Sequence, residues 1–466
     1  MADFYLRTES IKQDEIIGLS VLNGNDREII SALRSTEPCL IEGSRGTGKS
    51  FLMRVAQLKL EADKTQALPV FVSFNISSLI NSSDPLQFYH WMLAKTLKSM
   101  LNTLRKKGLS ISSHIANLLS NDENNDERSL EVDLKSIVRQ FESSYKTNSE
   151  INIDSLPDIE DVKDAIETIC IENNLDRVFF FFDEAAHVFR PKQQRQFFSL
   201  FKDLRSPYIT CNAAIYPGVT YFGDSFEPNH DCIYKKLDRK ITDSDYIEYF
   251  KTIVFKQADQ VLKDSIESNM TLFITLALSC GGNPRILLKT IQDLNKFNTS
   301  GVNQIIKEFY RGQIWSEHTE LGEKYRGHKL LIDWGRDFVE RSIIPAIQAY
   351  NTKRKERNVS ESSIYFWIHK DSPETVKESL RLLSYMGIVR KLDSSVRATR
   401  AELGSRFEVK YGCVIALNSS PVAESKDFFD SLSIKKFPEF GKNHSSYSGI
   451  SQLQNSVEDE STFLES

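Results

Sequence analysis

The stretch Gly43-Ser44-Arg45-Gly46-Thr47-Gly48-Lys49-Ser50 lies between a short apolar run, Cys39-Leu40-Ile41, and a helix that begins near Lys49. It fits GxxxxGK[ST] in the strand–loop–helix setting that the pattern requires. Glycines let the backbone curl until successive amides point at a β-phosphate, and the following helix adds the positive end of its dipole. Lys49 brings a point charge to the β- and γ-phosphates, and Ser50 offers an oxygen to Mg²⁺. Residues 43–50 are therefore expected to bind ATP with Mg²⁺.

About 130 residues downstream, Val178-Phe179-Phe180-Phe181-Phe182 is an unbroken apolar run that ends in Asp183-Glu184. Such a run means burial on both faces, as in a parallel sheet flanked by helices. An acid at the end of a central strand stands where a carboxylate must be to face the loop across the metal. Asp183 is expected to hold Mg²⁺ through water, with Ser50. Glu184 is placed to polarise the attacking water as general base. His187 reads as a neighbour contact, since a lone histidine there is a poor metal centre.

Outward from these two motifs the chain alternates. A strand at 70–74, helices at 158–172 and 194–205 and a strand at 208–216 complete a three-layer α/β pattern with a parallel sheet. Residues 1–241 form the nucleotide-binding domain. Within it, 107–158 reads as a helical, partly mobile insertion outside the core, with the acidic loop NDENNDE at 121–127. From 242 to 327 the strand signals vanish and successive helices follow, a small all-α lid. Residues 328–418 are a third unit, and 419–466, ending SVEDESTFLES with a balance of about −4, read as a disordered tail.

The bulk numbers agree with a globular multidomain chain. It has 466 residues, 40% hydrophobic and 26% charged, with a net charge of −5, too mild to predict non-specific nucleic-acid binding by the whole chain. The six cysteines are scattered with no CxxC pair, so buried free thiols in a reducing compartment are expected rather than disulfides or zinc. No apolar run approaches the ~20 residues that cross a bilayer, and the first residues carry scattered charges, so a cytoplasmic address without membrane contact is expected.

Phosphate loop, acidic strand end, one further strand, then a helical region with Gly281-Gly282-Asn283-Pro284-Arg285: this order resembles the AAA+ superfamily of P-loop ATPases. It is similar to the origin-recognition initiator and STAND-like branches, including bacterial proteins of unassigned role. The resemblance covers roughly 20–418. It implies that Arg285, in a sensor-2 position, reaches the γ-phosphate so that lid closure depends on ATP or ADP. It also implies an arginine finger for a neighbouring subunit, with Arg239 preferred over Arg205. The sensor-1 position falls at Tyr216, where Asn or Thr is usual, and Asn212 comes too early.

The third unit reads as a winged helix. Ser372-Pro373-Glu374 is a cap, with proline at the first helical position, to a helix that ends at Gly387, and 387–392 with 405–417 suggest a two-stranded wing. Residues 351–418 hold thirteen Lys and Arg against eight Asp and Glu. Duplex DNA is the expected partner, through Lys377, Arg381, Arg397 and Arg400. Glu374 and Glu378 on the same helix would repel phosphate and keep a protein-contact role open. The expected activity is that of an ATP-hydrolysing AAA+ switch. The alternative is a STAND-like sensor acting through protein partners, one setting being antiviral defence, and a homo-oligomer is compatible with either.

Overall fold

A computed structural model of the chain describes residues 3–63, 66–74, 86–109, 111–119, 127–143, 156–184, 191–324, 326–357 and 361–447. The phenylalanine run forms strand β3 (Arg177–Asp183), and its side chains divide by parity. Val178, Phe180 and Phe182 enter one hydrophobic core, while Phe179 and Phe181 enter another on the opposite face. Period two along a strand buried on both sides produces this division. The other strands are β1 (Cys39–Glu42), β2 (Ala67–Ser73), β4 (Ile209–Ile215) and β5 (Ile233–Lys236). The sheet order is β2-β3-β4-β1-β5, and all pairs are parallel.

Helices Gly24–Leu33 and Lys49–Ala62 cover one face. Helices Leu86–Lys106, Ile159–Glu172 and Pro191–Asp203 cover the other. The expected three-layer α/β architecture is thus present. Because β4 lies between β1 and β3, the loop after β1 and the acids after β3 face each other across the end of β4.

The 107–158 reading needs correction. Helix Glu127–Ser143 packs along Leu86–Lys106, and its Leu130, Leu134, Ile137, Val138 and Phe141 are buried in the same core as β3. The 3.6-residue spacing of those apolar positions outweighs the polar composition around them. Apart from Glu127, the acidic loop lies outside the described residues.

Beyond 241, helices Tyr246–Phe255, Gln260–Ser268, Met270–Ser279, Pro284–Gln292 and Thr299–Glu308 form the expected helical region. One continuous hydrophobic core, which also takes in Phe4 and Tyr216, runs from Ile241 to Tyr447, so no break in packing marks the expected boundary at 327/328. The C-terminal unit holds a four-stranded sheet, β7-β8-β6-β9, made of β6 (Tyr365–His369), β7 (Val389–Arg397), β8 (Leu403–Val409) and β9 (Glu439–Phe440). The β7–β8 hairpin occupies the stretch read as a wing, and residues 411–415 form a helix rather than the end of a strand. A single helix, Glu374–Met386, stands between β6 and β7. Pro373 is its N-cap, and Ser372 makes no capping bond.

The tail is also corrected. Helix Pro421–Asp430 packs on Met270–Ser279, and Val422, Phe440 and Tyr447 are buried. Those apolar side chains, spaced between the serines and lysines, give the segment enough to bury. The acidic end, 456–466, lies outside the described residues. The six cysteines are free thiols, and no described helix is long and apolar enough to cross a membrane.

Candidate functional site

The loop leaves β1 with the Gly43 amide donating to Ile215 O of β4, 3.2 Å. Gly46 and Gly48 take φ of +86° and +99°, conformations that L side chains resist. With Gly48 as N-cap, the helix starts at Lys49, so its first-turn amides have no helical partner and are free to meet phosphate. The loop forms one wall of a cavity of about 480 Å³.

Lys49 Nζ donates to Gly43 O at 2.6 Å and Ser44 O at 3.2 Å, and sits 3.9 Å from the centre of the Tyr216 ring. Burial lowers its pKa to about 7; Asp183 opposes the fall and Arg285 adds to it. Tyr216, at the end of β4, is therefore an aromatic seat for the lysine where a sensor-1 carboxamide was expected. Asn212 is buried and donates to Leu33 O at 3.0 Å, well inside the fold.

Asp183 ends β3. Burial raises its pKa, while a hydrogen bond with the Ser50 side chain and the charge of Lys49 pull it down. Asp183 therefore stands near enough to Ser50 and Lys49 to feel both. The Glu184 amide also donates to Asp183 Oδ1, 3.0 Å. A hydroxyl and a carboxylate side by side are hard oxygen donors, a set that suits Mg²⁺, which takes few protein ligands and fills its shell with phosphate and water. Glu184 lines the same cavity with φ at +60°, a strained conformation of the kind found at functional sites. Burial and then Asp183 push its pKa up, which favours a proton acceptor poised nearer neutrality. His187 lies outside the described residues.

Arg285 reaches the cavity from the other wall. Its Nε donates to Leu6 O at 2.9 Å, and a Cβ added at Gly46 would stand 3.1 Å from Arg285 Cβ. The lid therefore rests on the loop. Asn283 was overlooked in the sequence. Its Oδ1 caps helix Pro284–Gln292 while its Nδ2 donates to Arg45 O, 2.8 Å. The N-terminal segment was overlooked too: Leu6, Ile11 and Val21, with Ile253 and Leu288 of the lid, give the cavity an apolar side.

Arg239 is a correction. It is 4% exposed, its Nη2 pairs with Asp26 Oδ1 at 2.7 Å, and its Nη1 donates to Thr47 O at 2.7 Å. Tyr249 of the lid donates to the same carboxylate at 2.9 Å. A finger offered to a neighbour must stand in solvent, whereas this arginine braces the loop from within. The sequence did carry a clue: Asn23 and Asp26 form a capping box at the helix start, which fixes Asp26 there. Arg205 is bound to Asp231 through both its side chain and its carbonyl.

The four basic residues of the C-terminal unit separate. Arg397 and Arg400 lie at the exposed end of the β7–β8 hairpin. Lys377 and Arg381 line a cleft facing the five-stranded-sheet domain and pair with Glu374, with Arg381 also contacting Glu378. The helix that carries them ends on the loop itself: the Arg45 amide donates to Tyr385 O at 3.2 Å, and the Tyr385 and Tyr216 rings lie 4.9 Å apart.

No family model matches the chain, and no curated protein does. Among solved structures it is similar to the Aeropyrum pernix ORC1 protein in complex with DNA, at 12% identity and TM-score 0.38, over 89% of this chain and 98% of that one. CDC6P from Pyrobaculum aerophilum follows at 12% and 0.32, over 92% and 97%. AMPPCP-bound DnaA from Aquifex aeolicus follows at 12% and 0.29, over 76% and 94%. These structural neighbours share a loose overall layout with the chain, whose functional reading stands on its own residues.

Proposed function

We propose that the chain is an ATP-binding and ATP-hydrolysing switch of the AAA+ type, associated with DNA through its C-terminal unit. The observation that carries this reading is the cavity lined by Gly46–Ser50, Glu184 and Arg285, with the Glu184 amide bonded to Asp183 at the end of β3. Amides of residues 46–50 and Lys49 would hold the phosphates, and the apolar side from Leu6 to Val21 would take the base. Mg²⁺, held by Ser50 and by Asp183 through water, would draw charge from the phosphates. Glu184 would take a proton from the attacking water, and Arg285 would close the lid according to the γ-phosphate. Arg397 and Arg400 are the DNA contacts this reading now favours, since the hairpin end is exposed.

The test is steady-state ATP turnover with Mg²⁺, with and without duplex DNA, in wild type and Glu184→Gln. The variant should keep ATP binding and lose turnover by about 10²- to 10⁴-fold. Equal turnover in both would remove hydrolysis by this site, and indifference to duplex would remove the DNA association. One observation favours the second reading, a protein-triggered switch: the C-terminal helix docked on Arg45 is an arrangement that a partner could release. A purified monomer retaining ADP would select that reading.

A further inference from the structure

A second cavity, about 520 Å³, lies behind the phosphate loop, between the edge of the five-stranded sheet and the C-terminal unit. Its charge is unbalanced. The carboxylates on its wall are committed: Glu408 binds Arg390 at 2.8 Å, Asp238 lies 3.5 Å from Arg390, and Glu374 binds Lys377 at 3.1 Å. Glu42 lies across the strand from Lys236, and burial raises its pKa against the pull of Tyr234 and Lys236. Lys236, Lys391 and Lys410 line the same cavity with no ion-pair partner among the described residues. Lys410 is 5% exposed, and the hydrogen bond it makes there goes to Cys280 O at 3.0 Å. Burial, then Lys236, Arg381 and Lys377, make the charged form of Lys391 unfavourable, and all four residues line the one cavity.

Like charges gathered in a walled cleft repel, and they focus a positive field that an anion relieves. The volume suits a small ligand at a domain interface, and a double helix cannot enter it. Lys236 belongs to the sheet and Lys391 to the C-terminal unit, so one ligand would bridge both. Ser44 and Thr47 of the phosphate loop also line the cleft.

We infer that this cleft is a second binding site, for a small molecule bearing clustered phosphoryl groups, which pins the C-terminal unit against the phosphate loop. Nucleoside oligophosphates and inositol polyphosphates share that chemistry.

The test uses the full chain carrying Lys49→Ala, so that the ATP cavity is silent, titrated calorimetrically with inorganic tripolyphosphate at fixed ionic strength. One site per chain is expected, weakened at least about tenfold by adding Lys236→Glu and Lys391→Glu, since two exposed cations become anions. Both positions are exposed, and unaltered ATP binding by the double variant with Lys49 intact checks its fold. Should Lys49→Ala not fold, the more conservative Lys49→Met carries the same titration. ATP and inositol hexakisphosphate, run as competitors, distinguish the two sources. No binding, or binding indifferent to the double substitution, overturns the site. So does an equal loss of duplex DNA affinity, which would make the lysines backbone contacts of DNA.

Discussion

The loop Gly43–Ser50 and the turn Gly281–Arg285 are both rich in glycine, both open a helix, and touch each other, yet they use their backbones in opposite ways. In the loop, positive φ at Gly46 and Gly48 turns amides toward a cavity. In the turn, positive φ at Gly281 and Gly282 brings the backbone against its neighbours. The Gly282 amide is taken by Tyr246 Oη at 2.8 Å and the Ile286 amide by Asn283 Oδ1 at 3.3 Å. On the proposed reading the first is free to bind a ligand, while the second clamps the first. The contrast teaches that a glycine pattern becomes a phosphate site only where its amides remain unspent.

Breaking the loop should have the largest effect. Lys49→Ala should weaken ATP binding by roughly 100-fold, about 3 kcal/mol, while thermal stability stays near wild type, read by calorimetry and melting. Near-wild-type affinity would mean that the loop does not hold the phosphates. Breaking the turn should act on stability instead. Alanine at Gly282, with φ at +82° and a Cβ 2.3 Å from Arg239 O, should lower unfolding free energy by about 2 kcal/mol in urea titration. An unchanged midpoint would deny the turn its clamping role.

A pH series sharpens the contrast, because it should touch the loop alone. Lys49 has a pKa lowered to about 7, and phosphates beside it would restore its charge. ATP binding above pH 7 should therefore take up a proton, and affinity should fall by up to about tenfold per pH unit as pH rises. Calorimetry in buffers of different ionisation enthalpy reads this directly, and a flat profile refutes it. The smallest effect is expected of Asn283→Ala, which removes a cap and the hydrogen bond to Arg45 O. About 1 kcal/mol of stability should go, with a measurable rise in the ATP dissociation constant. A loss of stability without that rise would detach the turn from the loop.

The residues whose chemistry depends on local order were legible in the sequence. Glycine, lysine and serine at fixed spacing, and a strand ending in Asp-Glu, say by themselves what they would do, and the structure brings Ser50 and Asp183 together. Arg239 was not legible, because its role depends on Asp26, more than two hundred residues away, and on its burial. Nor was Tyr365–His369 legible as a strand: YFWIH is too short for its period to separate strand from helix. The insertion and the tail were misjudged because serine, asparagine and acids outnumber the few apolar positions that pack. The cleft behind the loop could not be read at all, since its cations come from segments that only the fold brings together.

The bond from the Arg45 amide to the Tyr385 carbonyl joins main chain to main chain. Drift in either side chain leaves it intact, so the tie between the phosphate loop and the far end of the molecule is inherited with the path of the backbone rather than with particular letters. A relative could lose both residues and keep the tie, and a comparison that tracks side chains alone would overlook it.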